Sequence, residues 1–319
     1  MKKGFVLFVL LSSVFLLRGG EGLRICSYPD DKKAMLALTF DDMLEDQCRF
    51  APAILKKYGL KATFFMIPGR LGDGRKRRIT YAMLKDVLPL VEAGHEIGNH
   101  SLNHSSIRAH LEKKDYEALN RIVVGGQDRI EELTGVRPQS FCYPGNRRSP
   151  ETDQWVLQSH LVTTTRSRRF PKTPDKVRAH LRKMIADRAF GDTMIHGIIE
   201  GYDPYASVEE FEACIAELVK FRDEIAIGTM LETGSYERRA AGTKLTVLEQ
   251  TPGKSVFLLE LEPQGRQYAG FLSLALPDAA SCRIRINGSE EPVAPVMQGS
   301  TGIFRARTGD LITLEKLPR

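Results

Sequence analysis

Short apolar segments rich in β-branched and aromatic residues alternate with amphipathic helical segments over about two thirds of the chain. Glycines follow several of the helical segments, as at Gly59, Gly94 and Gly135. This alternation predicts parallel strands joined by crossover helices, since consecutive parallel strands need a long connection. We therefore expect an α/β fold, a distorted seven-stranded (β/α) barrel, with strands at Met35–Phe40, Ala62–Ile67, His95–His100, Gln139–Pro144, Leu161–Arg166, Thr193–Ile198 and Ile225–Met230.

The helical patterns stop around Tyr236–Thr243. The rest of the chain contains only strand-like segments, with Gly and Pro between them. This change predicts a small all-β domain of the sandwich type. We expect a barrel domain over residues 23–238 and a C-terminal β-domain over residues 243–319.

The first residues have the pattern of a secretory signal. Lys2-Lys3 precede an apolar run from Gly4 to Leu17, and this run is shorter than the ~20 residues that span a bilayer. We predict a signal peptide over residues 1–22 and an exported protein, periplasmic or extracellular, with no stable membrane span after cleavage.

Charge and cysteine content argue against several classes of function. The formal net charge is +6, without a nucleic-acid-binding motif. The five cysteines include no Cys-x-x-Cys pair, which argues against a thiol redox motif and a cysteine zinc site. The run Arg75-Lys76-Arg77-Arg78 is either a solvated loop or a surface for an anionic cell-wall polymer.

Potential metal ligands lie at the carboxyl ends of predicted strands, where barrel enzymes keep their active sites. Asp41 and Asp42 end the first strand, while His100 ends the third and is followed by His104. Together they supply three ligands for a divalent metal and one spare carboxylate. A catalytic metal site keeps one position open for water, which the spare carboxylate could deprotonate.

Each motif also has a structural interpretation. The aspartates could cap the following helix, and His196, late in the sixth strand, could be an ordinary buried histidine. Adjacent strand residues point to opposite faces, so Asp41 and Asp42 do not form the carboxylate pair of a glycosidase. This favours divided roles, with one aspartate on the metal and the other beside it.

Thr39-Phe40-Asp41-Asp42 and His100-Ser101-Leu102-Asn103-His104 resemble the first two motifs of the polysaccharide deacetylases, carbohydrate esterase family four, or NodB homology domain. The resemblance covers roughly Ala34 to Tyr236. The family fold is a distorted seven-stranded barrel, in agreement with the strand count.

The resemblance implies a role for each matching residue. Asp41 matches the catalytic base, and His196 resembles the general acid. In Phe141-Cys142-Tyr143-Pro144-Gly145, Gly145 matches the backbone donor that holds the oxyanion. The implied metal ligands are Asp42, His100 and His104, and the metal is zinc or another divalent transition metal such as cobalt.

The chain departs from the family pattern at three places. Met43 stands where the family usually has glycine, and the family's Asp-Trp motif is not evident. The arginine that orients the base has no match, and Cys142 or Tyr143 stands near its place. The arginines that could substitute for it are Arg147, Arg148 and Arg166.

The resemblance implies a metal-dependent hydrolase that releases acetate from N-acetylated amino sugars of a chitin-like or peptidoglycan-like polysaccharide. An O-acetyl esterase of the xylan type with the same site is an alternative. A degenerate, non-catalytic carbohydrate-binding protein is another, and Met43 and the missing arginine favour it.

Overall fold

The computed structural model describes residues 22–74, 79–165 and 167–318. The predicted signal segment, apart from Gly22, lies outside these residues, as do the basic run at 75–78 and Arg166. The predictions that depend on them stay predictions. Over the described ranges, no helix has the length and apolar character needed to cross a membrane.

Strands and helices are interspersed along the described chain as far as Ala241, and the C-terminal strands follow. The helices are α1 (Glu45–Lys57), α2 (Leu84–Glu92), α3 (Ile107–Glu112), α4 (Tyr116–Thr134), α5 (Pro150–Val156), α6 (Pro174–Asp187), α7 (Val208–Val219) and α8 (Met230–Ala241). The strands are β1 (Arg24–Ile25), β2 (Ala34–Ala37), β3 (Thr39–Phe40), β4 (Thr63–Met66), β5 (Glu96–Asn99), β6 (Ser140–Phe141), β7 (Val162–Thr163), β8 (Arg168–Arg169), β9 (Phe190–Met194), β10 (Ile225–Gly228), β11 (Thr243–Gln250), β12 (Lys254–Leu261), β13 (Phe271–Leu276), β14 (Cys282–Ile286), β15 (Val296–Gln298), β16 (Thr301–Arg307) and β17 (Leu311–Lys316).

Parallel strands β2 to β10 form a curled α/β half-barrel, which confirms the predicted fold class at this level. One sheet has five strands in the order β3-β4-β5-β6-β7, and the other has four in the order β10-β2-β9-β8. A single bridge from Phe40 to Ile195 connects β3 to the residue after β9. Because the strands divide between two sheets, the predicted count of seven barrel strands stays a prediction.

The half-barrel core explains why its strands are apolar along their whole length. Every residue of β2 and β4 is buried, as expected when both faces of a parallel sheet are covered. Phe40 and Phe64 face each other across the β3–β4 pair, with ring centroids 4.6 Å apart. Phe211 of α7 packs edge-on against Phe40, so this helix covers the core.

The three glycines that we placed at helix ends have the left-handed backbone that this position requires. Gly59, Gly94 and Gly135 follow α1, α2 and α4 with φ of 64°, 74° and 73°. A side chain would be strained in this conformation, which terminates a helix at little cost for glycine. This prediction is confirmed.

The strands after α8 pair antiparallel in two four-stranded sheets, β11-β12-β17-β14 and β1-β13-β16-β15. The second sheet includes β1, which we had assigned to the barrel domain, since Arg24 pairs with Ala275 of β13. Leu23 also packs in the same apolar cluster as Leu274. The residues at the start of the predicted barrel domain therefore lie with the C-terminal strands.

Tyr236 of α8 joins the N-terminal segment to the C-terminal strands. Its hydroxyl donates to the carbonyl of Cys26 at 3.0 Å and accepts from the N–H of Ser273 at 3.2 Å. All of these groups are buried. This hydroxyl therefore satisfies two backbone groups from segments that are far apart in the sequence.

We predict that Tyr236→Phe lowers the free energy of unfolding by about 2 kcal/mol, because two buried backbone groups lose a partner. Tyr116→Phe, the same change on the half-exposed Tyr116 of α4, is the control and should change stability little. Urea denaturation of both variants measures the difference. Equal stability of the two variants would contradict the assigned role of Tyr236.

Candidate active site

The chain turns sharply after β3, and this turn separates the two aspartates. Asp42 and Met43 have φ of 77° and 55°, in the left-handed region that residues with side chains rarely adopt. Gln47 holds the turn by donating to the carbonyls of Asp41 and Ile195, both at 2.9 Å. Asp41 and Asp42 therefore face different partners, as divided roles require.

Met43 stands where the related proteins usually have glycine, and its positive φ gives a physical reason for that glycine. The side chain is almost fully buried in the half-barrel core and contacts the sulfur of Cys48 at 3.6 Å. Burial of a methionine offsets the backbone cost of the left-handed conformation. This departure therefore leaves the turn intact.

Asp42, His100 and His104 converge at the carboxyl ends of β3 and β5. Asp42 Oδ1 lies 3.5 Å from His100 Nε2 and 3.7 Å from His104 Nε2. One ligand atom from each residue lies within 4.8 Å of the other two. Asp42 Oδ1 is buried and has no hydrogen-bond partner among the described residues, so the oxygen and the two nitrogens fit a divalent metal.

Both histidines are held in the form that binds a metal. Burial lowers the pKa of His100 to about 4, and burial together with His100 lowers that of His104 to about 4. Both rings are therefore neutral at pH 7, with a lone pair for the metal. His100 Nδ1 lies 2.9 Å from the carbonyl oxygen of Cys142, which directs Nε2 toward Asp42.

Asp41 lies beside this site in a carboxylate-rich environment. Burial raises its pKa well above the ordinary value, and the nearby carboxylates of Asp42 and Asp192 raise it further. The thiol of Cys142 contacts Asp41 Oδ2 at 3.5 Å and acts in the opposite direction. A base works best when its pKa approaches the working pH, so these shifts suit Asp41 to proton transfer.

Of the two residues that stand near the place of the missing arginine in the sequence, Cys142 is the one that contacts Asp41. Over the part of the chain that the structure describes, no arginine forms an ion pair with Asp41 within 4.0 Å. Arg148 pairs instead with Asp153 at 2.6 Å, and Arg147 is exposed. A neutral thiol therefore contacts the carboxylate that a guanidinium was expected to orient.

A second set of possible metal ligands overlaps the first. Asp41, His100 and Cys142 also place one ligand atom each within 4.8 Å of one another. Burial and the carboxylate of Asp41 raise the pKa of the Cys142 thiol well above its ordinary value. A protonated thiol is a poor metal ligand, so the set containing Asp42 and His104 fits a metal better.

His196 lies between two carboxylates. Its Nε2 is 3.7 Å from Asp41 Oδ2, and its Nδ1 is 3.8 Å from Asp203 Oδ1. Neither His196 Nδ1 nor Asp203 Oδ1 has a hydrogen-bond partner among the described residues, although both are buried. Asp203 Oδ2 is held by Arg169 Nε at 3.1 Å. This geometry suits Asp203 to orient the imidazole.

Sequence reasoning missed Asp203, although it belongs to the segment Gly201-Tyr202-Asp203-Pro204-Tyr205 directly after the His196 strand. A carboxylate close after a candidate acid, at the loop-rich face, was the available signal. Of the neighbouring tyrosines, Tyr205 is buried in the core, whereas Tyr202 is 57% exposed and its ring lies edge-on to His196 at 5.8 Å.

The predicted site residues line one cavity of about 360 Å³. This size suits a small polar ligand such as a single sugar unit. The structure therefore brings together residues that follow β3, β5, β6 and β9. The lining residues are Asp41, Asp42, His100, His104, Cys142, Tyr143, Gly145, Asn146, Ser167, Arg169, Met194, His196 and Tyr202.

Asp153 and Trp155, the nearest match to the family's Asp-Trp motif, do not line this cavity. Asp153 accepts from the hydroxyl of Tyr143 at 2.6 Å and pairs with Arg148, while Trp155 stacks on Tyr116 of α4. These residues therefore hold α5 in place and do not substitute for that motif.

Residues 28–164 match the family model described as "Polysaccharide deacetylase". This segment contains both motifs and Gly145, and it ends before His196. The fold is similar to the crystal structure of a "putative polysaccharide deacetylase" from Mycobacterium smegmatis, with 17% identity and a TM-score of 0.53. That alignment covers 72% of this chain and 98% of the other.

Two curated bacterial proteins match shorter segments. "Putative polysaccharide deacetylase YxkH" of Bacillus subtilis (strain 168) is 36% identical over 76 residues, 24% of this chain and 25% of that protein. "Gellan lyase" of a Bacillus species is 28% identical over 121 residues, 38% of this chain and 4% of that protein. The chain therefore spans a quarter or less of the length of these relatives.

The fold and the site define an α/β half-barrel with its polar residues at the carboxyl ends of the strands. Together with the family-model match over residues 28–164, they confirm the resemblance of the two motifs to the polysaccharide deacetylase family. Deacetylation, the activity that gives this family its name, is hydrolysis of an acetyl amide or ester bond.

Proposed function

We propose that this chain is a metal-dependent deacetylase that removes acetyl groups from N-acetylated amino sugars of a polysaccharide. The observation that supports this proposal most is the convergence of Asp42, His100 and His104. Asp41 lies beside these three ligands and is not one of them. This arrangement provides three ligands and a separate base, as metal-assisted hydrolysis requires.

A divalent cation held by Asp42, His100 and His104, zinc or cobalt in this proposal, would act as a Lewis acid on a carbonyl and make water more acidic. Asp41 then removes a proton from the water that attacks the acetyl carbon. The N–H of Gly145, at the edge of the same cavity, stabilises the negative oxygen that forms on that carbon.

His196 completes the reaction. Its Nε2 is 3.7 Å from Asp41, so an acid and a base lie on the same side of the cavity. The protonated ring gives its proton to the sugar nitrogen as the carbon–nitrogen bond breaks, and the Asp203 carboxylate, 3.8 Å from Nδ1, stabilises the charge of the ring. The products are acetate and a free amino sugar.

The same residues would also cleave an O-acetyl ester, so the substrate is part of the proposal. The non-catalytic alternative is less favoured because Asp41 and His196 are both present and close together, which binding alone does not require. We further propose that the protein is exported, from the signal-like pattern of residues 1–22.

We predict that Asp41→Asn loses acetate release by about 10²- to 10⁴-fold, because the amide cannot accept the proton. The variant should still bind zinc, since Asp41 is not one of the three ligands. Asp187→Asn, which changes an exposed carboxylate on α6, is the control and should keep its rate.

Acetate release is measured with zinc or cobalt added, on N-acetylated chitin oligomers, peptidoglycan and acetylated xylan. The proposal predicts release from an N-acetylated substrate. Wild-type turnover by Asp41→Asn would overturn the role of Asp41, and release from xylan alone would replace the amide with the ester as substrate.

We predict that Asp203→Asn lowers kcat by about 100-fold with little change in KM, because His196 loses the group that orients it. Arg169→Gln breaks the same ion pair with Asp203 but leaves the carboxylate beside His196, so it should lower kcat much less. Steady-state kinetics of the two variants test this. Equal losses of kcat in the two variants would show that the reaction depends on the Arg169–Asp203 ion pair and not on the carboxylate beside His196.

A further inference from the structure

A second cavity of about 510 Å³ adjoins the active site. It shares Asn146 with the active-site cavity, so the two spaces meet just beyond Gly145. A polymer whose acetylated unit occupies the active site would place a neighbouring unit in this space. The lining residues are Arg108, Asn146, Arg147, Arg148, Ser149, Pro150 and Asp153.

The loop between the two cavities has a fixed path. Gly145 and Asn146 both have positive φ, of 68° and 55°, and Asn146 Nδ2 donates to the carbonyl of Ser167 at 2.9 Å. The side chain of Arg147 folds back over this turn: its Nε lies 3.7 Å from where a Cβ on Gly145 would be. Arg147 therefore lies at the boundary between the cavities.

The arginines of the second cavity differ in their partners. Arg148 is neutralised by Asp153, with three contacts of 2.6–3.0 Å. Arg108 pairs with Glu112 at 2.8 Å in an exposed pair that solvent screens. Arg147 has no carboxylate within 4.0 Å among the residues at 22–74, 79–165 and 167–318. The cavity thus presents one uncompensated guanidinium at its boundary with the active site.

We propose that this cavity is a subsite for an anionic sugar unit of the polymer, whose carboxylate or phosphate is bound by Arg147. A guanidinium presents paired N–H donors that match either anion. Because Arg147 has no carboxylate partner, it does not have to break an ion pair before it binds the anion of the sugar. That the anionic sugar lies next to an acetylated unit in the active site rests on the proposed function. That the cavity binds an anionic sugar does not.

Three matched tetramers probe the subsite: tetra-N-acetylchitotetraose, the same tetramer oxidised at C6 to carboxylates, and the same tetramer phosphorylated at C6. Binding is measured by calorimetry at low ionic strength on the full chain carrying Asp41→Asn, so that turnover does not interfere. Arg147→Gln is compared with Arg182→Gln, which removes an exposed arginine of α6 that lines neither cavity.

We expect at least one anionic tetramer to bind more tightly than the neutral one, and Arg147→Gln to weaken its binding by about 10-fold. The better-bound tetramer then identifies the anion. Binding of the neutral tetramer should not change, and Arg182→Gln should have no effect on any of them. Equal binding of all three, or equal effects of the two variants, would overturn the proposal.

This result is independent of the catalytic assignment. If no N-acetylated substrate releases acetate but the preference for an anionic tetramer depends on Arg147, the proposed function fails and the subsite stands. If acetate is released but no such preference exists, the subsite fails alone.

Discussion

The parallel pairing of β3, β4 and β5 is the constraint on which the site depends. Phe40 pairs with Phe64, and Met66 pairs with Asn99, so β3 and β5 end on the same edge on either side of β4. The next residues are the aspartates after β3 and His100 after β5. A shift of register by one residue would turn these side chains to the opposite face of the sheet.

Around that edge, negative charge exceeds positive charge. Asp41, Asp42, Asp192 and Asp203 all lie close enough for Asp41 to respond to the other three. The group that contacts Asp41 in place of an arginine is the uncharged thiol of Cys142. A divalent cation at Asp42 and a proton on His196 would add three positive charges, and Arg169 beside Asp203 supplies a fourth, which matches the four carboxylates. The proposed chemistry is therefore also what the charges favour.

Local patterns were sufficient to predict most of the strand segments along the chain and the polar residues at their ends. Apolar runs and terminating glycines placed Asp41, Asp42 and His100 at strand ends, whereas the choice of Asp42, His100 and His104 as one ligand set came from the resemblance of two short motifs to a known family. The departure at Met43 was also visible in the sequence, but its consequence was not, because it depends on burial against α1.

Contacts between distant segments could not be predicted in this way. Asp203 reaches His196 because the intervening loop folds around Asp46, whose Oδ2 accepts from three successive N–H groups of residues 198–200 at 2.6–2.9 Å. Likewise, β1 has two residues and no periodicity of its own, yet it pairs with β13. Such features depend on which segments meet in the fold, and periodicity carries no information about that.

X-ray absorption spectroscopy of the full chain loaded with one equivalent of zinc tests the central claim most directly. We predict a shell of nitrogen and oxygen ligands that includes two imidazoles and no sulfur, with one imidazole lost in His104→Ala. A sulfur ligand at ~2.3 Å would place the metal on Cys142 instead. That result, or a chain that retains no zinc, would contradict the assignment of Asp42, His100 and His104 as the metal site.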